Sequence, residues 1–547
     1  MTRPTLREAA ELSLFASRSL KAMVPGDDEA EKLARFEALA AEPWSRERIR
    51  GEILRAADSE QLSLALRKLR RDIMLTLIGR NATGACGFHE VVDTMTIFAE
   101  ESIQAVVRVH GRELAERWGV PMNAEGVPQD LLVVGMGKLG GRELNVSSDI
   151  DLIFLYGDEG ETRPTAEFPN ARRSVTVDEF YARLARRIIP ALNDPEGPGF
   201  VFRVDMRLRP NGDAGPIVCS ADMLEEYLYT QGRDWERFAW LKGRIVSGPV
   251  FSTPEQFETE SRYIRSLVQP FVFRKYLDFS AISSLTKLHE LVRAETDRRE
   301  LARSREGCNV KLGRGGIREI EFIVQTLQVI RGGRDATLRG RSTLPMIEAL
   351  ARAGALTAEA ADALSGYYVF LRDVEHALQY VDDQQTQWLP REGETLERAA
   401  GLLGMEPSEL WSKIERVREY VAKTFDGVFQ VNAEKSEAKD ADRWPAGWAD
   451  GSPRAPEMLE KLLGDLGYGD SSGELSSRIL SLVSGRRALV LSEEARTRMR
   501  RLVQFVVEKC PEWIERSGTR VISSAEELSR YLRLLEAIAG RSTYAAL

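Results

Sequence analysis

The spacing of hydrophobic positions divides the chain into helix-forming and strand-forming parts. Over residues 1–125, apolar side chains recur three and four positions apart, as in LSLALRKLRRDIMLTLIGR, which predicts amphipathic helices. Two short apolar runs bounded by turn residues, LLVVG (131–135) and DLIFLYG (151–157), predict buried strands. Helical spacing returns over 177–192 and dominates over about 220–432. The pattern predicts a small region of strands set between helical regions.

The segment FVFRVDMRLRP (200–210) alternates in polarity, which predicts a further strand. One predicted face carries Phe200, Phe202, Val204, Met206 and Leu208. The opposite face carries Val201, Arg203, Asp205, Arg207 and Arg209. This strand is therefore expected to present a carboxylate and several guanidinium groups on one side.

These patterns predict an α+β fold that is predominantly helical, with a small mixed sheet. The segment 432–456 has few apolar residues and many charges, Pro and Gly, which is typical of a linker. The predicted divisions are an N-terminal helical region (1–125), a catalytic domain (126–300), a helical bundle (301–432), a linker (433–456) and a last helical segment (457–547).

Composition narrows the functional classes. The 547 residues carry 84 acidic and 76 basic side chains, and a net charge of −8 argues against a protein that coats nucleic acid. The four cysteines show no metal-ligand or redox spacing, so we expect reduced thiols and a cytoplasmic location. The N-terminus does not have the pattern of a signal peptide, and no apolar run approaches the roughly 20 residues of a membrane span.

The strongest candidate chemistry lies at the start of the second predicted strand. Because side chains alternate along a strand, Asp149 and Asp151 point the same way, with Ile150 on the opposite face. Two such carboxylates repel each other unless a cation lies between them, and Mg²⁺ prefers oxygen ligands of this kind. If the strand at 200–210 pairs beside this one, Asp205 supplies a third carboxylate for a site with two Mg²⁺ ions.

The arginines of the alternating strand fit the same chemistry. Arg203, Arg207 and Arg209 can bind phosphate oxygens with bidentate geometry. The alternative for the pair of aspartates is a solvated strand edge or a helix cap. The alternative for the arginine-rich segment is an exposed strand face with internal salt bridges.

The sequence also contains a glycine pattern that matches a dinucleotide-binding motif but lacks the helix that this motif requires. Gly135, Gly137 and Gly140 match the G-x-G-x-x-G pattern of a dinucleotide-binding turn. That fold requires a crossover helix after the glycines, whereas the next predicted strand begins about ten residues later, at about residue 150. The pattern therefore disfavours a dinucleotide-dependent dehydrogenase.

A second glycine-rich turn leads into a helix in NVKLGRGGIREIEFIVQTLQVIRGGRD (309–335). The apolar stripe of this predicted helix is Ile317, Ile320, Ile323, Val324, Leu327 and Ile330. Its polar stripe is Arg318, Glu321, Gln325 and Gln328. The turn, with Lys311 and Arg314, is a candidate anion site, and Arg318, Glu319 and Glu321 are candidate functional residues. The alternative is an ordinary amphipathic helix of a bundle.

The ordered motifs resemble a known family. Gly137-Lys138, then ten residues, then Asp149-Ile150-Asp151 resembles the signature of polymerase-β-type nucleotidyltransferases, although Lys138 stands where these commonly have Ser. GMGKLGGRELNVSSDIDLIF, FRVDMRLRPNGDAGP, GRDWERFAWLKGRIVSG, QPFVFRKYLDFS and KLGRGGIREIEFIVQTLQVIRGGRD are together similar to the bacterial glutamine synthetase adenylyltransferase/adenylyl-removing enzymes.

The resemblance implies a polymerase-β-type domain between helical bundles. It also implies that Asp149, Asp151 and Asp205 hold Mg²⁺. The residues expected to bind the phosphate or nucleotide are Gly137, Lys138, Gly140, Gly141, Ser148, Arg207 and Arg209. Full-length members carry two such halves. This chain resembles the N-terminal, adenylyl-removing half, which implies phosphorolysis of adenylyl-tyrosine on glutamine synthetase to release ADP, with a PII protein as regulator.

Two alternatives remain open from the sequence. The same carboxylates could run the opposite reaction, in which AMP is transferred from ATP to glutamine synthetase. The chain could also be a non-catalytic module that binds PII or glutamine synthetase, although a module without turnover has no evident use for three neighbouring carboxylates. We further expect that the chain corresponds to an N-terminal portion of a longer enzyme.

Overall fold

The computed structural model describes residues 3–24, 26, 28–56, 58–171, 173–274, 306–437, 444, 447–449, 453–485, 493–517 and 523–539. The chain divides into two compact units, residues 1–428 and 429–547, and each is described by itself. The end of the predicted catalytic domain (126–300) and most of the predicted linker (433–456) lie outside the described residues.

Six helices open the first unit: α1 Leu6–Leu12, α2 Leu14–Met23, α3 Glu29–Ala40, α4 Arg46–Ile53, α5 Ser59–Thr83 and α6 Phe88–Trp118. Local chemistry sets the ends of α5. Asp58 accepts a hydrogen bond from the Gln61 backbone N–H (2.9 Å) at its start, and Gly84, with a φ of +81°, ends it. The predicted amphipathic helices are therefore present, and their buried faces share one large core.

The next elements build the sheet. In chain order they are β1 Val120–Asn123, β2 Leu132–Gly135, α7 Gly137–Gly140, β3 Ile150–Tyr156, β4 Gly160–Arg163, α8 Val177–Asn193, β5 Val204–Asp205, β6 Val218–Ser220, α9 Ala221–Thr230, α10 Asp234–Leu241, β7 Arg244–Ile245 and α11 Pro254–Val272. The sheet has the order β5-β3-β2-β7, and β6 also pairs with β3. β3 runs antiparallel to β2 and parallel to β5 and β6. The antiparallel β2–β3 connection is incompatible with a dinucleotide-binding βαβ unit.

Strand β3 is buried on both faces, which explains its uninterrupted apolar sequence. Ile150, Leu152 and Phe154 belong to the core shared with the N-terminal helices. Ile153 and Leu155 belong to the core on the other face, beneath α9, α10 and α11. A strand covered on both sides needs no polar alternation.

The long strand predicted over 200–210 is wrong in extent. Only Val204 and Asp205 form a strand, and turns follow them. The predicted alternation also fails at its start, because Val201 and Phe202 are both buried. Alternation in sequence requires only that neighbouring positions differ in polarity, and here turn geometry produces the same pattern.

The remaining elements of the first unit are β8 Gly307–Asn309, α12 Ile317–Arg331, α13 Thr343–Arg352, α14 Ala358–Asp382, β9 Trp388–Pro390, α15 Glu394–Leu402 and the first part of α16 Pro407–Glu437. The apolar stripe predicted for α12 is largely buried, but Gln328 does not lie on an exposed polar face. Gln328 is buried and its Nε2 donates to the carbonyls of Leu338 (2.9 Å) and Gly340 (2.8 Å). The loop after α12 recruits this amide, which helical periodicity cannot foresee.

The second unit contains the helices α17 Ala455–Asp465, α18 Ser472–Ser484, α19 Glu493–Ser517 and α20 Ser524–Ala539. Trp444 and Trp448 fall inside the predicted linker, yet both are buried in the core of this unit. The low average hydrophobicity of the segment 433–456 did not indicate that these two tryptophans are buried. Among the described residues, no helix has the length and apolar character needed to cross a membrane.

Candidate functional site

The three predicted carboxylates come from two neighbouring strands. Asp149 immediately precedes β3, Asp151 lies within it, and Asp205 ends β5. The parallel register places Asp151 opposite Asp205, and the Ile150 backbone N–H donates to the Arg203 carbonyl (2.9 Å). The pairing that the sequence analysis required is therefore present.

Two of the three carboxylates contact arginines. Arg203 Nε donates to Asp149 Oδ1 (2.8 Å), and Arg207 Nε donates to Asp205 Oδ2 (2.9 Å). The contact with Arg207 holds the pKa of Asp205 below its usual range. Arg209 donates to a backbone carbonyl of its own turn (2.8 Å). In this structure Arg203 and Arg207 thus neutralise the aspartates, and phosphate binding by Arg207 or Arg209 stays a prediction.

Asp151 lies in a different environment. Burial raises its pKa to about 6, and the negative charges of Asp205 and Asp149 act in the same direction. The charge of Lys311, from the second glycine-rich turn, opposes this rise. Asp151 is therefore a half-buried carboxylate beside like charges, an environment in which a bound cation is favourable.

Gly137 brings the first glycine-rich turn against Asp151. Its φ is +51°, and a Cβ built at this position would lie 2.9 Å from Asp151 Oδ2. Only glycine satisfies both constraints at no cost. Nucleotide binding by Gly137 stays a prediction from the sequence. In the structure, the absence of a side chain at Gly137 leaves room for the Asp151 carboxylate.

The other residues predicted in this turn have structural contacts. A Cβ at Gly140 would lie 2.0 Å from the Lys242 carbonyl oxygen, so close backbone packing requires this glycine. The Gly141 carbonyl accepts a hydrogen bond from Ser342 Oγ (2.7 Å). Ser148 is half-buried beside Asp149. Nucleotide contacts by Gly140, Gly141 and Ser148 stay predictions.

Lys138 is held in a buried ion pair. Its Nζ lies 2.9 Å from Glu375 Oε2, and both side chains are almost completely covered. Burial lowers the pKa of Lys138, while the charges of Lys138, Lys311 and Arg372 together outweigh the effect of burial on Glu375 and keep the pKa of that carboxyl low. The predicted phosphate contact would require Lys138 to leave Glu375.

Glu375 belongs to a polar face of α14 that the sequence analysis missed. Arg372 Nη2 donates to the Glu143 carbonyl (2.6 Å), and Gln379 Oε1 accepts from the Ser147 backbone N–H (3.1 Å). A hydrogen bond between His376 and Asn145, and one from Ser147 Oγ to the Asp383 carbonyl just after the helix, add to these contacts and fix the β2–β3 loop against α14. A signal was present in the sequence, because the polar residues at 372, 375, 376 and 379 recur three and four positions apart and so share one side of a helix.

Lys242 forms a second buried junction beneath the loop. Its Nζ contacts Glu143 Oε2 (2.9 Å) and Glu321 Oε1 (3.2 Å). Burial by itself would raise the pKa of Glu321, but the charges of Lys242 and Lys138 outweigh it and lower the value to about 2. The structure therefore pairs Glu321 with Lys242, and a functional role for Glu321 stays a prediction.

The other two candidate residues of α12, Glu319 and Arg318, differ in their burial. Glu319 is buried, and its Oε2 accepts from the Gly315 backbone N–H (2.9 Å). Glu319 therefore stabilises the second glycine-rich turn. Arg318 is exposed on the opposite side, and Arg314 contacts Asp426 (2.8 Å). Lys311, from the same turn, lowers the pKa of Asp151 through its charge.

The three aspartates are of a chemical type that fits a divalent cation. Among the described residues, no three His, Cys, Asp or Glu side chains form a group that could hold a metal ion. Asp149 and Asp205 are instead turned toward arginines, which supply the compensating positive charge. Three carboxylates on paired strands are nevertheless the oxygen-rich set that Mg²⁺ prefers.

Comparison with known proteins agrees with the motifs. The family model described as Glutamate-ammonia ligase adenylyltransferase matches residues 18–258, and the one described as GlnD PII-uridylyltransferase matches residues 286–435. The chain is 41% identical, over 94% of its length and 54% of the relative's, to the bifunctional glutamine synthetase adenylyltransferase/adenylyl-removing enzyme of Ralstonia nicotianae.

Two further relatives carry the same name. The Burkholderia mallei protein is 40% identical over 89% of this chain and 52% of its own length. The Aromatoleum aromaticum protein is 39% identical over 99% of this chain and 53% of its own length. The chain spans about half the length of the curated relatives it matches. The family resemblance inferred from the motifs is confirmed.

Proposed function

This chain is a relative of the bifunctional glutamine synthetase adenylyltransferase/adenylyl-removing enzymes, and we propose that it removes AMP from the adenylylated tyrosine of glutamine synthetase by phosphorolysis. The observation that carries this proposal is the register of Asp151 opposite Asp205. Asp149 lies two residues before Asp151, and Gly137 packs against Asp151. Adenylyl-tyrosine and phosphate would give tyrosine and ADP.

The roles of the side chains follow from their positions. Asp149, Asp151 and Asp205 would hold Mg²⁺, which, when bound, neutralises charge on the phosphodiester and on the leaving oxygen. Arg207 and Arg209 lie beside Asp205 and would orient the incoming phosphate. Tyrosine, with a pKa of about 10, is an acceptable leaving group, so positioning and electrostatics would supply most of the rate.

The fixed loop supports a catalytic reading over a purely binding one. Asp151 is half-buried beside like charges, an arrangement that costs stability unless a cation binds. The turn of Gly137 and the polar face of α14 hold this carboxylate in place despite that cost. A binding module without turnover would not need such a carboxylate.

The opposite reaction remains the second candidate, because the relatives' printed name includes adenylyltransferase activity. The three carboxylates would serve transfer of AMP from ATP equally well. The match of residues 286–435 to a PII-uridylyltransferase family supports a regulatory role for a PII protein. We propose that uridylylated PII stimulates the removal reaction.

Incubation with adenylylated glutamine synthetase and Mg²⁺, with and without phosphate and uridylylated PII, tests the proposal. We expect phosphate-dependent ADP release that Asp149→Asn and Asp151→Asn reduce by about a thousandfold. Asp362→Asn is the matched control, since Asp362 is an exposed aspartate on α14. AMP transfer from ATP onto unmodified glutamine synthetase would reverse the assigned direction. Absence of both activities, with PII shown to be active, would favour the binding module.

A further inference from the structure

A cavity of about 120 Å³ lies behind the edge strand β7, apart from the aspartates. The apolar part of its wall comes from β2, α10, β7 and α11. It includes the side chains of Val134, Leu241, Ile245, Ile264 and Val268. A cavity of this size accommodates a compact apolar group of about the size of a benzene ring.

Among the described residues, four arginines and no acidic side chain line the same cavity: Arg244, Arg265, Arg339 and Arg341. Two of them have carboxylate partners, since Arg244 pairs with Glu100 and Arg265 pairs with Glu258. The cavity therefore combines an apolar wall with an excess of positive charge.

Arg341 is the least compensated of the four. Its Nε donates to the Gly243 carbonyl (2.8 Å), and no carboxylate of the described residues lies within ion-pair distance of its guanidinium. Burial lowers the pKa of Arg341, and the charges of Arg244 and Arg265 lower it further. Arg339 likewise donates to the carbonyls of Gly332 (2.6 Å) and Gly333 (3.4 Å). An anion at this position would relieve the crowding of like charges.

The cavity is joined to the candidate site through one of its own arginines. Arg244 Nε donates to the Gly140 carbonyl (3.1 Å) and its Nη2 donates to the Leu139 carbonyl (3.0 Å), both in the turn that follows Gly137. Arg244 also pairs in register with Gly135 across β7 and β2. A ligand in the cavity would therefore contact the support of the glycine turn.

We propose that this arginine-lined cavity binds a small organic carboxylate whose body is a compact ring or branched chain. The carboxylate lies against Arg341, where its two oxygens match the planar guanidinium. The apolar body fills the space bounded by Ile264 and Val268. Binding at this position requires neither turnover nor the proposed reaction.

Titration calorimetry on the full chain with benzoate as the probe tests the proposal. We expect a dissociation constant of about 1 mM or lower, with binding at least about tenfold weaker for benzamide, which lacks the charge, and for acetate, which lacks the body. Phenyl phosphate distinguishes the head groups, and we expect it to bind more weakly than benzoate. Tighter binding of phenyl phosphate would replace the carboxylate with a phosphate ligand and overturn the proposed class.

Two variants locate the binding. Arg341→Gln should weaken benzoate binding by about tenfold or more, because a charge-assisted hydrogen-bonded pair is lost. Val268→Phe should abolish it by filling the cavity without changing any charge. Arg352→Gln is the matched control, since Arg352 is an exposed arginine on α13 with a 72% exposed side chain. Undiminished binding to both cavity variants, or equal binding of benzoate, benzamide and acetate to the wild type, would overturn the proposal.

Discussion

The two strands that carry the aspartates are held in different ways. Asp151 sits on a long strand covered on both faces, and the loop before it is fixed by α14 and by the Lys138–Glu375 ion pair. Asp205 ends a two-residue strand, and its partner Arg207 has a side chain that is 75% exposed. One side of the candidate site is thus built into the core, and the other lies at the surface.

The charges of the two carboxylates differ accordingly. Burial raises the pKa of Asp151 to about 6, whereas Arg207 lowers the pKa of Asp205. Among the described residues the first carboxylate has no ion-pair partner, and the second already has one. The buried side would therefore gain from a bound cation, while the exposed side must exchange its arginine for that cation.

The largest expected effect comes from breaking the buried side at Lys138. Lys138→Met removes one partner of a buried ion pair and leaves Glu375 uncompensated, so we expect a loss of about 3–5 kcal/mol in the free energy of unfolding. Urea denaturation measures it. The double variant Lys138→Met with Glu375→Leu should recover most of the loss, because both charges are then absent.

An exposed ion pair supplies the control for this experiment. Arg352 and Glu348 are 3.8 Å apart, with side chains that are 72% and 70% exposed. Arg352→Met should change the free energy of unfolding by less than about 0.5 kcal/mol. A loss for Lys138→Met no larger than this would show that the loop is not anchored by its pair with Glu375.

Asp151→Asn tests the missing counter-charge through pH. Because the pKa of Asp151 is raised from 3.8 to about 6, the folded protein retains this proton in a range where the unfolded chain has released it. Its contribution to stability is therefore present at about pH 4 and is lost as the pH rises through about 6. In metal-free buffer at pH 7, we expect Asp151→Asn to be more stable than the wild type by up to about 3 kcal/mol.

The opposite carboxylate should show the opposite sign. The pKa of Asp205 is lowered by Arg207, so its contribution to stability is present above the ordinary aspartate range and falls as the pH drops. Asp205→Asn should therefore lower the melting temperature at pH 7, by a small amount because Arg207 is well solvated. Melting temperatures that change in the same direction for both variants would contradict the comparison.

Gly137→Ala sharpens the comparison at the point of closest packing. The added Cβ would lie 2.9 Å from Asp151 Oδ2 in a backbone with a φ of +51°, so we expect ADP release to fall by about ten- to a hundredfold. Gly354→Ala is the matched control, because Gly354 has a φ of +64° and no atom within 4 Å of the built Cβ. Equal losses of activity in the two variants would mean that backbone strain alone, and not contact with Asp151, governs the effect.

The sequence predicted the carboxylates better than it predicted their supports. Alternation along β3 and the motif order identified Asp149, Asp151 and Asp205, because strand geometry fixes the direction of neighbouring side chains. The partners of Lys138 and Glu321 were not predicted, since Glu375 and Lys242 lie far along the chain and only the fold brings them close. Local patterns report local geometry, and these ion pairs are tertiary.

In the turn-rich segment 200–210, the sequence predicted more regular structure than is present. The alternating polarity of residues 200–210 predicted one long strand, but the chain turns directly after Asp205. Arg207 then reaches back to Asp205 from that turn, with its backbone N–H donating to Asp205 Oδ1 (2.8 Å). An aspartate that accepts from the residue two positions later is a common way to start a turn, and this signal was present in the sequence.

The smallest expected effect lies on the exposed side, at Arg207. If the cation and Arg207 compete for Asp205, Arg207→Ala should lower the Mg²⁺ concentration that gives half-maximal ADP release, by about two- to threefold. If Arg207 also orients the phosphate, the same variant should raise the phosphate concentration required, by a similar factor. A Mg²⁺ titration and a phosphate titration of one preparation separate the two roles.

The matched control for this titration is Arg112→Ala, because Arg112 is a surface arginine that pairs with Glu167 far from the aspartates in sequence (2.6 Å). It should leave both half-maximal concentrations unchanged. A rise in the Mg²⁺ requirement of Arg207→Ala would mean that Arg207 orients Asp205 for the cation and does not compete with it. The exposed side would then be organised in advance, like the buried side, and the contrast between the two strands would hold for their burial alone.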